Sequence, residues 1–234
     1  MCRMFAYIGD SYSELNELYR SLAKSAKFDE IRAGFSSKDN HRDGWGYAIY
    51  TQDHMYHYRT ERAIFEDDHR LPKFKGPVWA VFHARSAADD SPIGGSMFSH
   101  PFFAASDKER IFLCQNGTIP RRMLPDGFPK HKMGTEYVLD NLVGYGVRAG
   151  VKRSITEFKG TNTNWLIMRI GRDATKPSIY CLNRYVKTDN PDRNEYYTMY
   201  QKRLPHGRAV FSSTLMKNGV SGGSVLPYSK LVRI

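Results

Sequence analysis

The 234-residue sequence has no apolar run approaching the roughly 20 residues needed to cross a bilayer, which excludes a transmembrane helix. Its opening, Met-Cys-Arg-Met-Phe-Ala-Tyr-Ile, is apolar but breaks at Gly9-Asp10, too soon for a signal peptide. A cytoplasmic protein is the expectation. Cysteine is scarce and odd in number (Cys2, Cys114, Cys181), which argues against a disulfide framework and fits a reducing compartment. No CxxC or HxxxH spacing is present, so neither a metal nor another cofactor is expected. His54 and His57 read as a surface pair in a polar, Tyr-rich stretch. There is no internal repeat, low-complexity tract or Pro/Ser-rich linker, and residues 1–234 are expected to form one domain.

What is present is a globular composition, 41% hydrophobic and 13% aromatic, with a net charge of +11. The cations are scattered in small pairs such as Arg121-Arg122, Lys152-Arg153 and Lys202-Arg203. Pairs of this kind usually belong to solvated faces, so neither nucleic acid nor a membrane surface is the expected partner.

Strand-like segments occur at Met4–Ile8, Trp45–Tyr50, Met55–Thr60, Val78–His83, Ile111–Gln115, Asn164–Ile170, Ser178–Leu182 and Ala209–Ser212. Ser11-Tyr12-Ser13-Glu14 has the form of a capping box. After it, Leu15, Leu18, Leu22 and Ala26 recur at helical spacing and predict a helix of about four turns. Thr135–Val143 predicts a second helix. A first strand, a helix, several strands, a helix and further strands suggest an α+β fold of antiparallel-rich sheets covered by helices in layers.

Cys2 is the first candidate for chemistry. A residue this small after the initiator allows Met1 to be removed, leaving a thiol and a free α-amine on one residue. An α-amine has a pKa of about 7.7–8 and can serve as the base for its own side chain. Three short segments at predicted strand ends could accompany it. His83-Ala84-Arg85 ends an apolar strand before the polar loop Ser86–Ser91, and an Arg there offers a two-pronged donor for a carboxylate. A structural ion pair is the competing reading of that Arg. Asn116-Gly117 follows another strand and can aim a side-chain amide and a backbone N–H at one point, as an oxyanion hole requires. The same dipeptide is also a signal for a type I′ hairpin turn. In His41-Arg42-Asp43-Gly44-Trp45-Gly46, glycines flank Trp45, for which a pocket-forming and a structural role are equally open. His100-Pro101-Phe102 reads as an ordered loop buried by Phe102 and Phe103.

Taken in order, Met-Cys-Arg-Met-Phe-Ala-Tyr, His-Arg-Asp-Gly-Trp-Gly, His-Ala-Arg, His-Pro-Phe and Asn-Gly resemble the signatures of class II glutamine amidotransferases of the N-terminal nucleophile hydrolase superfamily. They are most similar to the small stand-alone type with a His-x-Asp-Gly-Trp-Gly motif, and Thr135-Glu136, Asn164-Trp165-Leu166 and Ser212-Ser213 extend the likeness along the chain. The resemblance implies a four-layer αββα sandwich of mostly antiparallel sheets. It implies Cys2 as nucleophile with its own amine as base, and Asn116 and Gly117 as the oxyanion hole. Arg85 would clamp the α-carboxylate of glutamine, with His83, Gly117, Gly134, Thr135 and Trp45 also at the substrate. Two positions depart from the family pattern: Gly134 stands where an Asp usually holds the α-ammonium, and Gln115 where a His usually precedes Asn-Gly.

The expected reaction is cleavage of a glutamine side-chain amide through a Cys2 thioester, releasing ammonia to a partner subunit or to water. The substrate would be glutamine or a γ-glutamyl small molecule. Hydrolysis of another γ-glutamyl amide and an inactive basic binding module are the alternatives.

Overall fold

The computed structural model describes residues 2–87 and 94–234. Met1 and the end of the polar loop read at Ser86–Ser91 lie outside the described residues. The first sheet contains β1 (Arg3–Gly9), β2 (Trp45–Thr51), β3 (Met55–Thr60) and β4 (Val78–Ala84). The second sheet contains β5 (Phe102–Ala105), β6 (Glu109–Asn116), β7 (Asn164–Gly171) and β8 (Ser178–Leu182). The chain then returns to the first sheet with β9 (Met199–Leu204), β10 (Gly207–Ser212) and β11 (Ser224–Val225), and closes the second with β12 (Leu231–Arg233). Strand orders are β11-β9-β10-β1-β4-β2-β3 and β12-β8-β7-β6-β5, and all neighbouring strands of the two sheets pair antiparallel. The architecture is thus mixed α and β, with two antiparallel sheets.

The helices are α1 (Tyr12–Lys27), α2 (Glu30–Ala33), α3 (Gly134–Tyr145), α4 (Val147–Glu157), α5 (Pro191–Tyr197) and α6 (Thr214–Lys217). The stripe Leu15, Leu18, Leu22 and Ala26 on α1 is buried against Phe5, Tyr7, Tyr47 and Phe82 of the first sheet. Side chains alternate along each strand, so the residues between these point the other way. Met4, Ala6, Ala48, Val81 and Val210 therefore meet Phe112, Cys114, Leu166, Met168 and Cys181 of the second sheet. The far face of that sheet, with Ile111, Leu113, Trp165 and Ile167, packs on Val138, Leu139 and Leu142 of α3 and Val147 and Val151 of α4. A sheet buried on both faces explains why β4 and β7 read as nearly continuous apolar runs.

Several sequence expectations are corrected here. Ser11 caps α1 by accepting from the Glu14 amide at 3.3 Å, but Glu14 does not reach back to complete a capping box. Its carboxylate instead accepts from the Tyr7 hydroxyl at 2.9 Å and the His206 amide at 2.8 Å, tying α1 to the turn between β9 and β10. Phe102 and Phe103 are not a buried loop but open β5, and strand alternation buries Phe102 while Phe103 is 45% exposed. Asn116-Gly117 is not a hairpin turn. Asn116 ends β6, its pairing partner on β7 is Asn164, and the whole α3–α4 excursion separates the two.

Candidate active site

Cys2 immediately precedes β1, the strand between β10 and β4. Its position is enforced by the residues on either side of the chain. Arg3, fully buried, directs Nε to Asp29 Oδ2 at 2.5 Å and Nη1 to the Tyr196 carbonyl at 2.7 Å. Asp29 also accepts from Thr214 Oγ1 at 2.8 Å and the Arg32 amide at 3.1 Å, and lies 2.8 Å from His41 Nε2. Burial alone would raise the Asp29 carboxyl, but the charge of Arg3 and the contact with His41 hold it far below the carboxylate range. Burial, opposed by Asp29, lowers His41 to about 4, so its ring is neutral near pH 7. The next residue, Met4, is fixed through both its backbone N–H and C=O by the Ser212 hydroxyl.

The reactive groups converge at the end of the two sheets. The Cys2 backbone N donates to Asn116 Oδ1 at 2.8 Å, a bond between β1 and β6. Because Oδ1 is so engaged, the Asn116 NH2 group is turned away from Cys2 N. Cys2 Sγ lies 3.8 Å from the Ser86 carbonyl oxygen. Burial, the largest single influence, would raise the thiol, but His83, the amino terminus and the Ser86 contact together outweigh it and the pKa falls to about 5. Cys114 and Cys181, buried in the core between the sheets, go the opposite way and remain thiols. A depressed thiol in a cleft makes Cys2 the candidate reactive cysteine.

Gly117 has φ of +137°, and a Cβ there would sit 1.9 Å from the Asn162 carbonyl oxygen. Only glycine fits, and its carbonyl is further held by Gln115 Nε2 at 3.3 Å. Gln115 in turn accepts from Trp165 Nε1 at 3.1 Å, so the non-titrating Gln acts as a hydrogen-bonded brace under the Asn-Gly turn.

Arg85 is 2% exposed and follows β4 on a segment pinned by Asp43 and Gly44. The Arg85 amide donates to Gly44 O at 2.8 Å, the Asp43 amide to Arg85 O at 3.0 Å, and the Ala87 amide to Asp43 Oδ2 at 2.8 Å. Arg85 Nη1 reaches the Asp43 carbonyl at 3.3 Å. Gly44, at φ +111°, packs where a Cβ would meet Ser99 Oγ at 2.2 Å. The His-Arg-Asp-Gly-Trp-Gly segment is thus a support that positions Arg85 and, through His41, anchors β1.

A tight cavity of about 30 Å³ is lined by Cys2, Arg85, His100, Gln115, Gly117 and Thr135, among others. It shares Gln115, Gly117, Thr118, Met133 and Thr135 with a wider cavity of about 240 Å³ that adds Gly134, Arg121, Lys130 and Lys132. The structure therefore brings Cys2, Arg85, Asn116, Gly117 and Thr135 together, with Gly134 one step further out. His83 lies beneath this cluster, with Nε2 2.9 Å from the Gln115 carbonyl oxygen. Trp45 is not brought to the site. It lies on the helix-facing side of the first sheet, fully buried, with Nε1 donating to Asp67 Oδ2 at 2.9 Å. The strand register pairs it with Ala84, between His83 and Arg85, so the pleat sends it away from the thiol.

Sequence reasoning missed His100. It had only a structural role there, yet its ring lines the Cys2 cavity 4.2 Å from that of His83. Gly46, whose absent Cβ would lie 2.5 Å from the His100 carbonyl oxygen, opens the space for it. Two glycines and a distant His-Pro were the available signal. Among the described residues no group of three or more His, Cys, Asp or Glu could hold a metal ion, and no helix is long and apolar enough to cross a membrane.

No protein-family model matches the chain, and no curated protein matches it in sequence. Solved structures do resemble it. One is the glutamine phosphoribosylpyrophosphate (PRPP) amidotransferase from B. subtilis complexed with ADP and GMP, with a TM-score of 0.59 at 12% identity over 97% of this chain. Another, described as the allosteric regulatory enzyme of purine biosynthesis, gives 0.60 at 14% identity over 95%. This chain spans 44% of the length of each of those chains. At such identities the likeness is one of fold.

Proposed function

We propose that this protein is an amidohydrolase of the class II glutamine amidotransferase kind, built as a four-layer αββα sandwich of the N-terminal nucleophile type. The observation that carries this reading is the convergence on one cavity of Cys2, a buried Arg85 and Gly117, with Asn116 Oδ1 2.8 Å from the Cys2 nitrogen. A nucleophile, an oriented amide donor and a carboxylate clamp are the parts that acyl transfer needs.

With Met1 removed, the Cys2 nitrogen is an α-amine whose bond to Asn116 Oδ1 fixes the side-chain amide. The Cys2 sulfur attacks the substrate's amide carbon, and the C=O pair moves onto oxygen, where Asn116 Nδ2 and the Gly117 N–H stabilise it. Collapse breaks the C–N bond and releases ammonia, the α-amine cycling the proton. Water then attacks the thioester through a second oxyanion in the same hole and frees the acid. Arg85 holds the substrate carboxylate, and Thr135 lines the opposite wall. The ammonia passes to an acceptor or is released to water.

One observation bears on the α-ammonium that glutamine and every other γ-glutamyl amide share. At Gly134, where an α-ammonium partner would be expected, a Cβ would lie 2.7 Å from Ile119 Cβ, and the adjoining cavity presents Arg121, Lys130 and Lys132. Glu136, the nearest acid in sequence, is engaged by the Met133 amide at 2.7 Å.

The test is ammonia release from glutamine and from a panel of γ-glutamyl amides by native protein whose N-terminal residue has been identified by intact mass. Release that disappears in Cys2→Ala supports the reading. No release from any amide, or release that survives Cys2→Ala, overturns it.

A further inference from the structure

The mechanism above uses the α-amine as the only base, yet an imidazole is buried beside the nucleophile. His83 is the next-to-last residue of β4 and is fully buried. The register of β1 and β4 pairs Met4 with His83 and Arg3 with Ala84. Side chains opposite one another share a face, as do residues two apart, so His83 lies on the same face as Cys2 and diagonal to it. Its Nε2 sits 2.9 Å from the Gln115 carbonyl oxygen, which can only accept. In the neutral ring Nε2 therefore carries the hydrogen and Nδ1 the lone pair. Nδ1 is buried and makes no hydrogen bond of normal length. A base held in one tautomer by a third group, diagonal to a thiol on the same face, is the general arrangement of an activated thiol.

We infer that His83, oriented by the Gln115 carbonyl, is the acceptor of the Cys2 thiol proton, so that the nucleophile ionises without the α-amine. The S–H bond of Cys2 breaks with its electron pair left on sulfur, and the proton forms a new N–H bond at Nδ1. That proton is then available to the departing nitrogen when the substrate C–N bond breaks. This deepens the amide-cleaving reading and rests on it for the identity of the nucleophile.

The titratable and charged groups packed around the pair are compatible with it. Just after β4, Arg85 adds a fixed positive charge at the cavity. His100, before β5, is driven well below its ordinary range by burial and by His83 and Arg85, and stays neutral. Cys114 on β6 and Tyr197 at the end of α5 are both raised by burial and stay protonated.

The experiment is the pH titration of thiolate ultraviolet absorbance, with Cys2→Ala as blank. It is run on the processed chain, on a chain extended by Gly-Ser-Gly ahead of Met1 so that no α-amine forms at Cys2, and on His83→Gln, which keeps a donor for the Gln115 carbonyl. The midpoint is the readout, because a thiolate of lower pKa is also a weaker nucleophile and rates at one pH would partly cancel. The expected result is a midpoint in the extended chain that stays well below the ordinary thiol value of about 8.5. In His83→Gln the midpoint should rise by about two pH units or more, toward the ordinary thiol value of about 8.5. An unchanged midpoint in His83→Gln overturns the inference, as does an ordinary midpoint in the extended chain. Should His83→Gln fail to fold, the extended chain decides alone: a low midpoint supports the inference and an ordinary one overturns it. Turnover plays no part in this readout. A low midpoint in a protein that cleaves no glutamine-type amide therefore refutes the amidase reading while leaving the Cys2–His83 pair intact.

Discussion

Gly117→Ala offers a sharp test of the proposed oxyanion hole, because the obstruction is backbone rather than a movable side chain. The added Cβ would stand 1.9 Å from the Asn162 carbonyl oxygen, whereas real Cβ atoms essentially never come within 3.0 Å of such an atom. The two segments must separate by at least 3.0 − 1.9 = 1.1 Å. The φ of +137° adds strain of about 1–3 kcal/mol for any residue with a Cβ. The Gly117 N–H is thus carried off its position by about an ångström, and a misplacement of that size costs on the order of 10²-fold in rate. Complete loss of the donor would cost roughly 10²–10³-fold. The expectation is a fall in amide turnover of at least about 100-fold, with the protein still folded. The Cys2 thiol midpoint is followed alongside, because the Gln115 carbonyl that orients His83 lies two residues from Gly117. Ammonia release under saturating amide, thermal denaturation and the thiol titration together make the assay. Turnover within about threefold of wild type in a folded Gly117→Ala protein would refute the reasoning, because it would mean that the Gly117 N–H is not a transition-state donor.

Asn116→Ala should lower turnover by roughly 10²–10³-fold and also cost about 1–3 kcal/mol of stability, since the Cys2 nitrogen loses its buried acceptor; matched steady-state kinetics and denaturant titrations check both. Acid should weaken the fold in two stages. His41 is lowered from 6.5 to about 4, so between those values the unfolded chain binds the proton first and stability falls with pH, by about 3 kcal/mol across the window. Asp29 is depressed, so its contribution is present above the unfolded carboxylate value of about 3.9 and drains only below it. Replacing His41 by Asn should flatten the upper stage in urea titrations at stepped pH and leave the lower one in place; an unaltered upper stage would show that another group titrates there.

The sequence by itself determined the elements whose signal is local. The α1 stripe at Leu15, Leu18, Leu22 and Ala26, and strands such as β3 and β8, are legible because periodicity and composition report directly on which side is buried. Cys2, the Arg after β4 and the Asn-Gly at the end of β6 stood out too, as chemically unusual residues at strand ends. Helix α4 was not legible, because Gly150 packs on the Asn141 carbonyl and leaves a thin apolar stripe. Nor was α5, whose Asn190-Pro191 cap opens only seven residues.

Only the tertiary structure decided what those strand ends do. The pleat of β2 assigned Trp45 to the helix side, away from the thiol, and a register of single residues placed His83 on the Cys2 side. Asn116 reaches Cys2 across 114 positions, and Asp29 gathers Arg3, His41 and Thr214 from three separate segments. A lone Cys has an ordinary thiol pKa in any sequence window. Its depression here is achieved against burial, which would raise it, and rests largely on a residue 81 positions away; proximity of that kind is set by sheet pairing, which local patterns do not encode.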